Sequence, residues 1–188
     1  MKIGGAIFLL FLLAATFVNA EPISRFQWKK IQDLKGIPSS QGLNNPSLYI
    51  FFDPNCAASA RLFSMTVNGA LFEKLDSVWI PVNSMGGSSL GKSISILKGA
   101  DFSLIKKNFL SFNFKNDFGA MKESQVSNDE ASEIQRSIGV WQSLSSLGTP
   151  LIAYRDKEGR YGIHLGYKPQ TEIETIVAGL GGSKIAPY

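Results

Sequence analysis

Tyr49-Ile50-Phe51-Phe52-Asp53-Pro54-Asn55-Cys56-Ala57-Ala58-Ser59 is the stretch on which the fold of this chain turns. An apolar run stops at a Pro-Asn turn, and the only cysteine of the 188 residues follows it, opening a helical pattern. Leu48 to Phe52 reads as a buried strand and Ala57 onward as a helix, which puts the thiol at a helix N-terminus. Partial charges there favour thiolate, so the sulfur is a better nucleophile and metal ligand than one packed in a core. Three residues on, where a dithiol site needs its second sulfur, stands Ser59.

Upstream, Met1-Lys2 and the apolar stretch from Ile3 end at Val18-Asn19-Ala20, with Glu21-Pro22 just after. A minimal positive region, an apolar run short for a spanning helix and a small-residue site predict a cleaved secretory signal peptide over residues 1–20. The alternative is an uncleaved N-terminal anchor. No other stretch reaches the length needed to span, so the mature chain is expected to be soluble and exported to a compartment where disulfides persist. One cysteine cannot make an internal bridge. Cys56 is therefore a free thiol, a mixed disulfide or an intermolecular link.

Residues 21–188 suffice for one domain with a substantial core. The net charge is +4, one unit of which leaves with Lys2, and the cations are scattered without a basic block. Nucleic acid is not an expected partner. Gly86-Gly87-Ser88-Ser89 reads as a loop, and its glycines lack the lysine and helix context of a phosphate loop.

The remaining elements follow from periodicity and punctuation. Phe26, Trp28, Ile31 and Leu34 predict a short helix ended near Gly36-Ile37-Pro38, and residues 39–46 are turn-rich. Phe63, Val67, Ala70, Leu71 and Leu75 form a stripe on the helix after Cys56, with Gly69 as a weak point or kink. Val78 to Val82 is a second strand, and Pro81 argues that it is an edge or an early exit. Leu90, Ile94 and Leu97 share one helical face, as do Phe102, Ile105 and Phe109. Ser127 to Glu130 is a capping box for a helix carrying Ile134, Ile138, Trp141 and Leu144, which Gly148 can end. Two strands, Leu151–Tyr154 and Tyr161–Leu165, form a hairpin through Asp156 to Gly159. Thr171 to Glu174 is a second capping box, before a helix burying Ile173, Ile176, Val177 and Leu180.

Strand, helix, strand, helical stretch, strand, strand, helix is the order of an α/β thioredoxin-like fold with a helical insertion between the second and third strands, at about residues 86–147. Residues 21–47 form an N-terminal helix and connector, and residues 48–188 the domain itself. Tyr49 to Ser59 resembles the active-site segment of the periplasmic DsbC/DsbG thiol:disulfide interchange family, in which an apolar strand runs into Asp-Pro-Asn-Cys and a second cysteine. Gly148-Thr149-Pro150 looks like that family's cis-proline loop, and Tyr154 to Arg160 is also similar. The resemblance spans residues 26–182. It implies a cis Thr149-Pro150 bond whose free backbone edge binds an extended substrate. Two departures limit it: the family's second cysteine is Ser59, and residues 21–47 are too short for its dimerisation domain, so a monomer is expected.

One thiolate suffices to attack a substrate disulfide and form a mixed disulfide. The usual escape through a second thiol, at high local concentration, is closed, because an alcohol is a poor nucleophile towards sulfur. Ser59 can still donate a hydrogen bond to a Cys56 thiolate. Release then needs a client thiol, which isomerises, or an outside reductant; sulfenic acids are a further substrate on the same terms. Oxidation by a dithiol is excluded by residue count. The expected catalytic residues are Cys56 and Ser59, and the substrate-binding residues Thr149 and Pro150. No cofactor is expected, and one cysteine with one histidine makes no metal set. Expected partners are periplasmic clients with cysteines and a membrane thiol reductant. The competing class is a redox-inactive binding or chaperone module in an envelope assembly. His164 reads as an ordinary strand residue, Asp53 as the cap of the Pro-Asn turn, and Trp28, Trp79 and Trp141 as core.

Overall fold

The computed structural model describes residues 21–40, 45–68, 77–145, 147–166 and 170–180. The expected signal peptide, Gly69 and the stripe residues Ala70, Leu71 and Leu75 lie outside them. The described elements are β1 (Glu21–Pro22), α1 (Arg25–Gln32), β2 (Ile37–Pro38), β3 (Leu48–Phe52), α2 (Ala57–Asn68) and β4 (Ser77–Pro81), followed by three consecutive helices. These are α3 (Ser89–Gly99), α4 (Phe102–Leu110) and α5 (Asn128–Leu144), after which come β5 (Leu151–Arg155), β6 (Tyr161–Leu165) and α6 (Gln170–Gly179).

One mixed sheet runs in the order β1-β6-β5-β3-β4-β2. Among the described strands only the β3–β4 pair is parallel; β5 lies antiparallel on the other side of β3 and makes the expected hairpin with β6. All five residues of β3 are buried because both faces of the central strand are covered. Leu48, Ile50 and Phe52 point into a cluster with Phe63 of α2, Phe102, Ile105 and Phe109 of α4, and Ile173 and Ile176 of α6. Tyr49 and Phe51 point the other way, to Trp28 and Ile31 of α1 and Trp141 of α5. The period of two in a strand thus feeds two separate cores from one run of apolar residues. Each fully buried side chain of this size contributes about 1.5–3 kcal/mol.

Several expectations change in detail. The insertion lies between the fourth and fifth strands, because the two-residue strands β1 and β2 extend the sheet at its edges. Pro81 does not make β4 an edge: β3 flanks it on one side and β2 on the other. The Val82 N–H donates to the Phe52 carbonyl at 2.9 Å, so strand alternation turns the Pro81 nitrogen to the opposite side. There β2, paired only as far as Trp79, leaves no acceptor waiting for it. Phe26 is 69% exposed and leaves the buried face of α1 to Trp28 and Ile31. The Ser127–Glu130 capping box forms as read, but α5 stops at Leu144 with Ser145 extended, short of Gly148. Helix α6 starts at Gln170, so Thr171 lies inside its first turn instead of preceding it.

Candidate active site

Where β3 ends, the chain reverses over Asp53-Pro54-Asn55. The Asp53 carboxylate accepts the Asn55 N–H at 2.7 Å, and the Asp53 carbonyl accepts the Cys56 N–H at 3.1 Å. The Cys56 carbonyl then takes the Ala60 N–H at 3.0 Å, the first bond of α2, which makes Cys56 the residue that caps this helix. Cys56 is 8% exposed, and its thiol donates to the Thr149 carbonyl at 3.2 Å. The Thr149-Pro150 peptide bond is cis. Gly148, at φ 118°, takes a backbone conformation that a side chain disfavours, and its carbonyl is held by the Trp141 indole N–H at 3.1 Å. On the far side the Pro150 carbonyl accepts the Gly166 N–H at 2.8 Å. Cys56 and the Thr149-Pro150 pair, which begins 93 residues further along the chain, therefore meet at one point.

Ser59 lies one turn into α2 and is fully buried, and its hydroxyl makes no hydrogen bond to Cys56 or to any other described group. His164 is buried in β6 and stacked on Tyr154 at 5.4 Å between ring centroids. Among the described residues no group of His, Cys, Asp and Glu side chains could hold a metal, and no helix is long and apolar enough to cross a membrane.

Beneath the thiol lies a buried polar network that periodicity and motif reading miss. Asp53 is fully buried, and both its oxygens are used. One accepts from the Asn55 N–H and the Ser89 hydroxyl, each at 2.7 Å; the other accepts from the Met85 N–H at 2.8 Å and the Ser84 hydroxyl at 3.3 Å. Ser84 also reaches the Thr149 hydroxyl at 3.3 Å, so one carboxylate is tied to both sides of the thiol. The Asn55 amide nitrogen donates to Ser88 and Ser89, while its oxygen accepts from the Lys92 ammonium at 2.8 Å and the Gly119 N–H at 3.1 Å. Lys92, 1% exposed, donates as well to the Gly119 carbonyl at 2.6 Å, and its ammonium sits 3.0 Å from the centre of the Phe118 ring. Burial pushes its pKa down, opposed by the fields of Glu123 and Asp53. Asn108, buried on α4, donates to the Pro54 carbonyl at 2.9 Å and accepts the Met121 N–H at 3.1 Å.

The reading of Asp53 as a turn cap therefore covers one of its four bonds. The signal that pointed further was composition: Gly91, Ser93 and Ser95 around Lys92 are short, and they let other segments close over the lysine. Ser124 N–H and the Ser95 hydroxyl both reach the Gly91 carbonyl, at 3.1 and 3.0 Å.

No protein-family model matches this sequence, and no curated protein matches it. Solved structures do. A periplasmic thioredoxin-like protein from Salmonella enterica serovar Typhimurium superposes with a TM-score of 0.58 at 13% identity, covering 84% of this chain and 97% of the other. The catalytic domain of Proteus mirabilis ScsC gives 0.57 at 16% identity over 81% and 93% of the two chains. The thiol-disulfide exchange protein alpha-DsbA2 from Wolbachia pipientis gives 0.52 at 16% over 81% and 91%. At these identities the likeness is one of architecture, and the chain has the thioredoxin-like fold.

Proposed function

We propose that this protein carries out monothiol thiol–disulfide exchange on envelope client proteins in the periplasm, in the manner of DsbG-like proteins, with Cys56 as nucleophile and the Thr149-Pro150 loop as docking edge. The observation that carries the reading is the Cys56 thiol at the head of α2, 3.2 Å from the Thr149 carbonyl beside a cis proline. The neighbours described as a periplasmic protein and as a thiol-disulfide exchange protein agree with the compartment and the reaction class.

In the first step the Cys56 thiolate attacks one sulfur of a client disulfide. The client S–S bond breaks, a mixed disulfide forms, and the second client sulfur leaves as thiolate. A client thiolate can then attack the mixed disulfide and form a new client disulfide, an isomerisation without net electron transfer. Alternatively an outside dithiol reductant supplies two electrons and releases the client reduced. Ser59 offers no third route, since oxygen cannot take over the bond.

The test is trapping. Mixed disulfides between the wild-type chain and envelope proteins should accumulate in cells and vanish with Cys56→Ser. Ser59→Cys should shorten their lifetime and give dithiol reductase activity. A second reading, a redox-inactive binding or chaperone module, is favoured by the thiol's 8% exposure and its engagement with a backbone carbonyl. It predicts clients that co-purify equally with wild type and Cys56→Ser and stay bound in reductant. That outcome, with no adducts dependent on Cys56, would reject the exchange reading.

A further inference from the structure

Lys92 is a buried cation that the exchange steps above leave without a role. We infer that Lys92 is a positioning residue for Cys56, holding the Asn55 turn under the sulfur and offsetting the negative charge that Asp53 already places there. An ammonium on the solvent face of α3 would need nothing from the protein; taken out of water it must be compensated by hydrogen bonds and opposite charge. The compensation is specific. Two carbonyl-type oxygens, Asn55 Oδ1 and Gly119 O, take two of its protons, and the Phe118 ring covers it from outside. One of those oxygens belongs to the residue just before Cys56.

The charge count gives Lys92 a part in the chemistry as well as in packing. With Cys56 protonated, Lys92 already offsets part of the Asp53 charge while also feeling the field of Glu123. Ionising the sulfur adds one negative charge at the head of α2. Without Lys92, that thiolate would be the second uncompensated negative charge on a single four-residue turn, and like charges so placed resist ionising together. Two other charged groups belong to the surroundings: Glu123 acts on Lys92, more strongly than Asp53 does, and Arg61 of α2 lies over the Phe114 ring at 5.8 Å. The loop from Leu147 to Pro150 brings none.

The experiment is the rate of Cys56 alkylation by iodoacetamide across pH, with a thermal melt for each variant. Lys92→Met keeps the length and removes the charge. Its alkylation at neutral pH should fall about tenfold, with the whole profile displaced upward by about one pH unit and the alkaline plateau unchanged. Lys92→Arg should restore most of the profile even where it lowers the melting temperature. A folded Lys92→Met with the wild-type profile overturns the inference and leaves Lys92 a packing residue. If Lys92→Met does not fold, the coupling is read in the other direction on folded proteins. The Lys92 side-chain resonance should show an inflection at the alkylation midpoint that is absent from Cys56→Ser, because coupling is reciprocal. A titration without that inflection overturns it equally. The inference rests on thiolate being the working form of Cys56 and on no client, so missing client adducts would sink the exchange reading alone.

Discussion

Asp53→Asn is the sharpest single perturbation this site offers. The two side chains have the same shape, so any change reports hydrogen bonding and charge. Each carboxylate oxygen holds one backbone N–H: Asn55 on one, Met85 on the other, at 2.7 and 2.8 Å. An amide has one oxygen and one NH₂, so whichever way it turns, its NH₂ faces a backbone donor. The serine hydroxyls on each side can rotate and accept, but a backbone N–H cannot. One buried donor left without an acceptor costs about 1–3 kcal/mol, and the surviving bonds lose their charge assistance, roughly another 1 kcal/mol. Neutralising Asp53 saves its own desolvation, but it takes one of two carboxylate fields from the buried Lys92 ammonium and leaves it that of Glu123, which offsets the saving. The expected net loss is about 2–4 kcal/mol, against a total stability of roughly 5–15 kcal/mol. For a chain of this size that is a drop of roughly 5–15 °C in melting temperature. Thermal unfolding followed by circular dichroism measures it, with Asp129→Asn, on the exposed first turn of α5, as control. An Asp53→Asn variant that melts with the control would refute the argument that this carboxylate organises the turn.

Two glycines should respond in opposite directions. A Cβ at Gly119 would run into the Pro54 carbonyl and the Asn108 amide, so Gly119→Ala should lower the melting temperature and slow Cys56 alkylation. Gly139, inside α5 with open space around it, should gain about 0.5–1 kcal/mol as alanine, seen as a higher urea midpoint at unchanged slope. Glu130, bonded to Lys98 and to the Ser127 N–H and hydroxyl, has its pKa pulled down from 4.5 to about 2. Its folded value lies below its unfolded one, so its contribution is whole above about pH 4.5 and drains away as pH falls to about 2. Carboxyl titration by NMR checks this, and Lys98→Ala should move the Glu130 midpoint upward.

What could be read from the residues, and what could not, divides along the line between local and distant causes. Strand β3 was legible because five consecutive apolar residues of strand-favouring type leave few alternatives. The start of α5 was legible because Ser127 and Glu130 cap each other within four residues. The meeting of Cys56 with Thr149 and Pro150 was reached through the resemblance of two motifs, since nothing in either segment alone specifies the other. Strands β1 and β2 are two residues long, and the sheet edge they join creates them. Lys92 defeats periodicity outright: a lysine between glycine and serine on an amphipathic helix belongs, by pattern, in water. It is buried because the chain around Phe118 and Gly119 folds back over it, an event encoded more than 25 residues downstream.

The buried hydroxyl of Ser59 has no hydrogen-bond partner among the described residues, whereas Asp53 and Asn55 on the turn before it are bonded through both of their side-chain polar atoms. An oxygen in that condition weakens the fold by about 1–3 kcal/mol compared with an apolar atom of the same shape, so stability gives no reason to keep it. Sulfur would suit the place better, being content among carbon atoms. The difference between Ser59 and a second cysteine three residues after Cys56 is thus a single atom, oxygen for sulfur.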